Sequence, residues 1–369
     1  MFADRINEIQ PFRVMEVLAR AAELEAEGHR VVHLQVGEPD FATAAPVLAA
    51  AQQALRDGHT KYTAATGIPA LRAAIASYYR DLDISVDPER IIVTSGASGG
   101  LTLLSALLLN PRDELLITDP GYPCNEVFAH LVGAVPRAVA VGANQRFQPQ
   151  AQDLLDAWTD RTRGALLASP ANPTGTMLPA AQLREICAAL AQRQGFLILD
   201  EIYQGLHAWP EGERGASPEY RSGLQINDSL YVLNSFSKYF GMTGWRLGWL
   251  VVPAAAVDAV TRLAQNLFIS PSTPAQYAAL AAFTDEAMQI HESRAQAFRQ
   301  RARLLMDGLR AMGFRIPVEP DGAFYAYVDV SHTGMHSRDF CWRLLDEFQV
   351  AVTPGEDFGE QNSERYVRF

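Results

Sequence analysis

Seven short apolar runs recur between residues 90 and 252, most of them separated by stretches with helical periodicity. They read "RIIVTSG", "ELLITDP", "AVPRAVAV", "GALLASP", "FLILDE", "LYVLNSFS" and "LGWLVV". Near-continuous hydrophobicity in such runs points to strands buried on both faces of a mostly parallel sheet. Intervening segments such as "ASGGLTLLSALLL" and "AAQLREICAALAQR" carry the helical spacing. Strand and helix in alternation predict a large doubly wound α/β domain over residues 46–285.

The flanks differ in rhythm. Val14, Val17, Leu18, Ala21 and Leu24 follow a helical period over residues 11–27, closed by Gly28, and the short strand "RVVHLQV" then runs into "GEPDF". Residues 46–57 and 69–80 read as helices joined by "HTKYTAATG". A long helix is expected over 286–312, followed by strand and helix in "GAFYAYVDV" and "SRDFCWRLLDEFQV". Residues 1–45 and 286–369 are therefore expected to form a smaller, discontinuous α/β domain.

At 369 residues the chain is long enough for both units. A net charge of −11 argues against nucleic acid or an anionic membrane as the main partner, and leaves room for local anion pockets. Cys124, Cys187 and Cys341 are odd in number and far apart, a pattern of reduced core thiols with no metal site. The N-terminal "MFADRINEIQPF" places charges where a signal peptide needs an apolar run, and "LTLLSALLL" and "WLVVPAAAV" are too short to span a bilayer. A cytoplasmic location is expected.

In open α/β sheets ligands bind beyond the carboxyl ends of the strands, so the polar residues after each run are the candidates. Ser95–Leu101, "SGASGGL", is a glycine-rich turn opening a helix, where free backbone N–H groups and the helix dipole suit a phosphate and Ser98 adds a hydroxyl. Alone it reads equally as a tight turn that needs small residues. Asp200 follows four apolar residues, where an unpaired carboxylate is costly; it expects a cation or protonated ring nitrogen, or else serves as an N-cap. "SPANPTG" is a stiff loop that holds the Asn172 amide, admits a cis X–Pro bond, and also fits a simple turn.

The last candidate is Lys238, in "SFSK", flanked by Ser235 and Ser237 with Arg246 eight residues on. Of the 31 basic residues 29 are arginine, and the two lysines are Lys61 and Lys238. A lone lysine is ordinarily a solvated surface residue. In a chain that writes arginine nearly everywhere, a lysine beyond a buried strand suggests chemistry that a guanidinium cannot do. Covalent work on a carbonyl needs an amine able to lose its proton. Lys61 shows that the bias tolerates another survivor. A phosphate, a ring nitrogen seeking a carboxylate and an aldehyde seeking an amine together describe pyridoxal phosphate.

The whole chain resembles the class I/II aminotransferases of pyridoxal-phosphate fold type I, the aspartate-aminotransferase-like group. The resemblance rests on "GEPDF", "KYTAATGIPALR", "TSGASGGL", "DPGYP", "NPTG", "DEIY", "SFSKYFGMTGWRLGW", "PDGAFY", "TPGEDFG" and "YVRF", in that order. It implies that Lys238 carries the cofactor as a Schiff base (an internal aldimine) and shuttles the substrate proton. Asp200 would pair with the pyridine nitrogen, Tyr203 and Asn172 would reach the ring's phenolate oxygen, and Tyr122 would stack on the ring. Ala97, Ser98, Ser235, Ser237 and Arg246 would hold the phosphate, with Tyr62 reaching that of a neighbouring subunit in a homodimer with shared active sites. Arg368 would grip the substrate carboxylate, assisted by Asn172 and the backbone N–H of Gly37.

The resemblance implies a ping-pong amino transfer from an L-amino acid to a 2-oxo acid. A β-lyase or decarboxylase on the same Lys238 and Asp200 is the alternative. A ligand-sensing regulator would need a DNA-binding domain ahead of the first helix, and a nicotinamide dehydrogenase would need the GxGxxG that is missing. Phe12, Val14 and "NLFISPSTPAQ" are expected to border the side-chain pocket. The sequence ends one residue after Arg368, where relatives continue through a further strand and helix, so either a shortened product or a weakened anchor for Arg368 is expected.

Overall fold

The structure, a computed structural model, describes residues 2–208 and 221–369. Helix α1 (Arg13–Ala26) leads to the two-residue strand β1 (Val32–His33), then to α2 (Ala45–Arg56) and α3 (Pro69–Arg80). Next come β2 (Ile91–Thr94), α4 (Gly96–Leu108), β3 (Glu114–Asp119), α5 (Cys124–Leu131), β4 (Val135–Ala140) and α6 (Ala151–Asp156). They are followed by β5 (Thr162–Ala168), α7 (Ala180–Gln192), β6 (Phe196–Asp200), β7 (Tyr231–Ser235) and β8 (Gly248–Val251). The chain continues through α8 (Val257–Leu267), α9 (Thr273–Leu280) and the long α10 (Asp285–Ala311). It closes with β9 (Tyr327–Asp329), α11 (Ser337–Phe348), β10 (Val350–Ala351), β11 (Thr353–Pro354) and β12 (Tyr366–Arg368).

Helix boundaries follow local chemistry. Helices α2 and α3 carry proline in their first turn, where a missing N–H costs nothing. The Thr284 hydroxyl accepts from the Ala287 amide at 3.4 Å to start α10, with Asp285 and Glu286 in the first turn complementing the dipole.

All seven apolar runs enter one seven-stranded sheet, ordered β2-β8-β7-β6-β5-β3-β4, in which β8 alone runs antiparallel to its neighbours. Alternate residues feed two cores. Leu116, Leu167, Leu199 and Val232 face one apolar layer, and Ile117, Leu166, Ile198 and Leu233 the other. Continuous hydrophobicity is thus two alternating faces, both covered. Strand β4 departs from the expectation: it is an edge strand with much of its length exposed, and "AVPRAVAV" carries Pro136 and Arg137, residues suited to a sheet edge.

The remaining strands form two small sheets, β1 paired in parallel with β10, and β11-β12-β9 antiparallel. Val17, Ala21 and Leu24 of α1 pack with Val31, Leu345 and Ala351, which brings the two ends of the sequence into one layer. The strands expected in "RVVHLQV" and "GAFYAYVDV" are shorter than their apolar runs, because neighbouring backbone groups bond elsewhere. The carbonyls of Gln35 and Gly37 accept from Arg368 and Lys238. The amides of Gly322 and Ala323 donate to Gly175 and Leu206. Those bonds replace a ladder and leave the segments bordering a cleft.

Strand β12 lies between β11 and β9, and Phe369 exchanges hydrogen bonds with Ala326 in both directions. Arg368 is therefore held inside a paired strand, which corrects the expectation of a weakened anchor. All three cysteines are free thiols, Cys341 buried and the others half-buried. Among the described residues no cluster of His, Cys, Asp and Glu could hold a metal, and no helix is long and apolar enough to cross a membrane.

Candidate active site

The carboxyl ends of β2, β3, β5, β6 and β7 open onto a cleft of about 420 Å³, closed on its other side by α1, the segment after β1 and the sheet containing β12. Gly37, Ala97, Ser98, Tyr122, Asn172, Asp200, Tyr203, Ser235, Ser237, Lys238, Arg246 and Arg368 all line it. Tyr62 does not: it is 79% exposed on the outside of the subunit. Phe12 and Val14 border the cleft as expected, whereas residues 266–276 do not line it within the same chain.

Lys238 follows β7 and donates from Nζ to the Gly37 carbonyl at 2.6 Å. Its Nζ lies 5.8 Å from the centroid of the Tyr203 ring and 5.9 Å from that of Phe324. Burial, reinforced by the Arg368 charge and opposed by Glu38, lowers its pKa to about 8. An amine so poised is readily available in its free, nucleophilic form. Lys61, by contrast, is exposed. A side chain on Gly37 would collide with the Tyr325 hydroxyl, so the carbonyl that Lys238 meets belongs to a residue that must be glycine.

Asp200 ends β6, 5% exposed, and its Oδ1 accepts from the Ile202 amide at 3.0 Å. It has no ion-pair partner among the described residues, and burial, opposed by the Ile202 amide and Lys238, raises its pKa to about 7. A buried carboxylate in that state has room for a cationic N–H, the requirement of a protonated ring nitrogen. The N-cap reading also holds locally, since the same carboxylate stabilises the turn after the strand.

Glu201 is a second buried acid that the sequence reading left aside. Oε1 accepts from the Gly223 amide at 2.6 Å, Oε2 is buried without a hydrogen-bond partner, and burial raises the pKa to about 8. The folded protein holds this proton to about pH 8, while the unfolded chain releases it near 4.5, its ordinary value. Its contribution to stability is complete below the lower value and is lost as pH rises through the upper one. Replacing Glu201 by Gln is expected to flatten the fall in melting temperature between pH 5.5 and 8.5 by roughly 5 °C, with little change at pH 5.5. Melting curves across that range on the cofactor-loaded protein check it; a variant as pH-dependent as the parent refutes the buried neutral acid.

At the other end of the cleft α4 begins at Gly96, and Ser95 makes no side-chain cap, so the first amides of the helix face the cavity uncapped. Gly96 has φ +72°, and a Cβ there would stand 2.5 Å from Arg246 Nη2, so the guanidinium lies directly against the turn. The Ser237 amide donates to Ser235 Oγ at 3.0 Å, which folds both hydroxyl-bearing residues inward. Uncapped amides, two serines and an arginine form a cradle with the chemistry of a phosphate site.

Arg368 faces the opposite wall. Nη1 donates to Asn172 Oδ1 at 2.8 Å, and Nη2 to the Gln35 carbonyl at 2.6 Å and to Thr353 Oγ1 at 3.3 Å. The guanidinium is sandwiched between the rings of Tyr325, 4.5 Å away, and Phe358, 4.7 Å away. Nε is buried without a partner, a donor held ready for an acceptor that a carboxylate would supply. Tyr203 and Tyr325 share a 2.6 Å hydroxyl hydrogen bond, and both peptide bonds preceding Pro170 and Pro173, around the Asn172 loop, are cis.

Tyr325, Gln35, Thr353, Asp357 and Phe358 were not singled out from the sequence. Tyr325 and the last three sit in "PDGAFY" and "TPGEDFG", quoted motifs whose positions signalled the site without assigning residues. Gln35 acts through its backbone carbonyl, which leaves no mark in a sequence.

Residues 29–369 match the family model described as aminotransferase class I and II. Valine–pyruvate aminotransferase of Mycobacterium tuberculosis is 39% identical over 361 residues, covering 98% of this chain and 91% of that protein. An aspartate aminotransferase of Bacillus sp. is 35% identical, covering 99% and 94% respectively. Among solved structures, an aminotransferase from Mycobacterium tuberculosis superposes with a TM-score of 0.94 at 38% identity, covering 100% of this chain and 93% of that one.

Proposed function

The chain belongs to the class I and II aminotransferases, pyridoxal-phosphate enzymes that move an amino group from an L-amino acid to a 2-oxo acid, and from that premise we propose that its donors carry uncharged, chiefly apolar side chains. The observation that carries this reading is the division of labour among cations. Lys238, Arg246 and Arg368 are the only basic residues lining the cleft among those described. If they serve the aldehyde, the phosphate and the α-carboxylate, none remains in the subunit for a second carboxylate. The rest of the mouth is formed by Phe12, Val14, Met15, Leu18 and Val36, with the acidic Glu38 and Asp357. The similar mycobacterial protein, named for valine and pyruvate, agrees with this choice.

Bound in the cleft, pyridoxal 5'-phosphate supplies an aldehyde carbon and a ring that accepts electron density, the chemistry that frees an amino group from one carbon skeleton for another. In the proposed assignment Ala97, Ser98, Ser235, Ser237 and Arg246 hold the phosphate. Asp200 would hold the proton on the ring nitrogen, Tyr203 and Asn172 would serve the phenolate oxygen, and Tyr122 would hold the ring. Lys238 would present its amine to the aldehyde carbon and would serve as the base that takes the proton from the donor's Cα and returns it as an acid. Arg368, with Asn172 and Gly37, orients the donor by its carboxylate.

We assign residues 46–285 to the cofactor-binding domain, and 1–45 with 286–369 to the smaller one. A cytoplasmic homodimer is the proposed state. Its support is the surface around Tyr62. Thr273 Oγ1 donates to the Lys61 carbonyl at 2.6 Å, and the Gln276 side chain ties Thr63 and Ile68 to the same place. Tyr62 is thus held by rigid neighbours yet points outward, with Leu267 and Ile269 also exposed. A second copy would cover that surface, and Tyr62 would reach the phosphate end of its site.

The test is a donor series on the cofactor-loaded protein, without any 2-oxo acid. Alanine, valine and leucine are expected to yield a single equivalent of their 2-oxo acids, with a single-turnover kcat/KM (half-reaction rate constant over the half-saturating donor concentration) at least about tenfold above aspartate. Faster reaction with aspartate overturns the donor class; ammonia or carbon dioxide in place of the 2-oxo acid overturns the amino transfer. In the same series Arg368→Ala is expected to raise KM for every donor by roughly 100-fold, the worth of a lost charge-assisted pair. An unchanged KM places the carboxylate elsewhere.

A further inference from the structure

Helix α1 supplies Phe12, Val14, Met15 and Leu18 to the mouth of the cleft, yet its own sequence does not secure its start. The N-cap position is Phe12, which offers no side-chain acceptor. The first amides are instead taken by a carboxylate more than three hundred residues away. Arg13 N donates to Asp357 Oδ1 and Val14 N to Asp357 Oδ2, each at 2.9 Å. Asp357 is 8% exposed, and both its oxygens are committed to these first-turn amides. A neighbouring ion pair joins the Arg13 guanidinium to Glu356.

The loop that carries Asp357 is fixed elsewhere too. Phe358, the next residue, lies under the Arg368 guanidinium, and its carbonyl accepts from the Gly121 amide at 2.8 Å. The amides of Glu360 and Gln361 donate to Asp119, at the end of β3, at 3.0 and 3.2 Å. One short loop therefore joins the large sheet, the carboxylate-binding arginine and the start of α1.

We propose that Asp357 is a positioning residue that seats α1 over the cleft and thereby sets how the enzyme discriminates among donor side chains. It acts through Phe12 and Val14, without contact to the reacting atoms. The proposal rests on the donor reading only in taking the mouth as the side-chain end of the site. A remote carboxylate that caps two amides fixes both the position and the direction of the helix start. Without it the first turn frays, the apolar wall recedes, and a donor's side chain loses its contacts while its carboxylate keeps Arg368.

The experiment compares kcat and KM for alanine with those for the enzyme's best large donor in the parent, Asp357→Asn and Arg13→Pro. The proline removes one donated amide at the first helical position, where the helix tolerates it, and leaves the carboxylate in place. Arg13→Ala removes the Glu356 pair but keeps the amide. The ratio of kcat/KM between the large donor and alanine is expected to fall about tenfold in Asp357→Asn, mostly through KM, and to fall in the same direction in Arg13→Pro. It is expected to hold in Arg13→Ala. Hydrogen exchange at the amides of residues 14–16 is expected to speed up in the first two variants alone.

Equal losses for all donors, or an unchanged ratio, overturn the proposal. So does faster exchange with discrimination intact. If the parent prefers aspartate, the donor class is wrong, but the proposal is still judged by whether the ratio for that donor collapses. Failure of either reading can thus be told from failure of the other.

Discussion

Lys238→Arg is expected to lose amino transfer by roughly 10⁴-fold or more, the upper range for removal of a positioned acid–base group, although charge and length are nearly kept. The substitution is the one this sequence favours at other basic positions, which makes the expected loss informative. Arginine stays protonated at any accessible pH. The lysine sits where burial and the Arg368 charge bring its pKa down to about 8, within reach of neutral pH. A guanidinium here could still donate to the Gly37 carbonyl, but it could neither attack a carbonyl carbon nor return a proton to Cα. Single-turnover assays, together with borohydride fixation of the cofactor to the polypeptide, separate the two losses. Turnover within tenfold of the parent would mean that the covalent lysine lies elsewhere, with Lys61 as the other candidate.

The second large effect is expected from Asp200→Asn. The amide matches the carboxylate in shape and can still accept from Ile202, so the turn after β6 should survive. What disappears is the negative charge that, in the proposed assignment, would keep a proton on the ring nitrogen. Loss of one preorganised electrostatic contact in a dry site costs about 10²–10³-fold in kcat, and cofactor affinity should fall far less, since the phosphate cradle is untouched. Measuring kcat beside the cofactor dissociation constant distinguishes this from simple ejection of the cofactor. A kcat within threefold of the parent would mean that Asp200 is only a turn-forming residue.

Much of the site was legible because a buried parallel strand leaves a sharp signature. The apolar run stops where the chain leaves the sheet, and polar residues just beyond it border the cleft. Asp200, Asn172 and Lys238 were all found that way, and the arginine bias singled out the last. Gln35, Thr353 and Phe358 were not found, for a different reason. They contribute a backbone carbonyl, a hydroxyl at a strand only two residues long, and a ring face beneath Arg368. None of these leaves a periodic pattern. The small sheets were blurred because their apolar runs exceed the paired residues, the remaining backbone groups being spent on the cleft. The doubt over Arg368 came from its place near the end of the sequence. Its security comes from pairing with two strands distant in sequence, which local pattern cannot display.

Because Lys61 is exposed and Lys238 lies within the cleft, the two lysines divide the polypeptide into an accessible and a guarded cleavage point. A lysine-directed protease meets the folded subunit at the 61–62 bond alone, next to the surface assigned to the second copy. The 238–239 bond yields only when the cleft unfolds, or when the amine is no longer engaged. One, two or three gel bands would then report, in a single digestion, whether a second copy covers Lys61 as proposed, whether it is bare, and whether the heart of the enzyme has come apart.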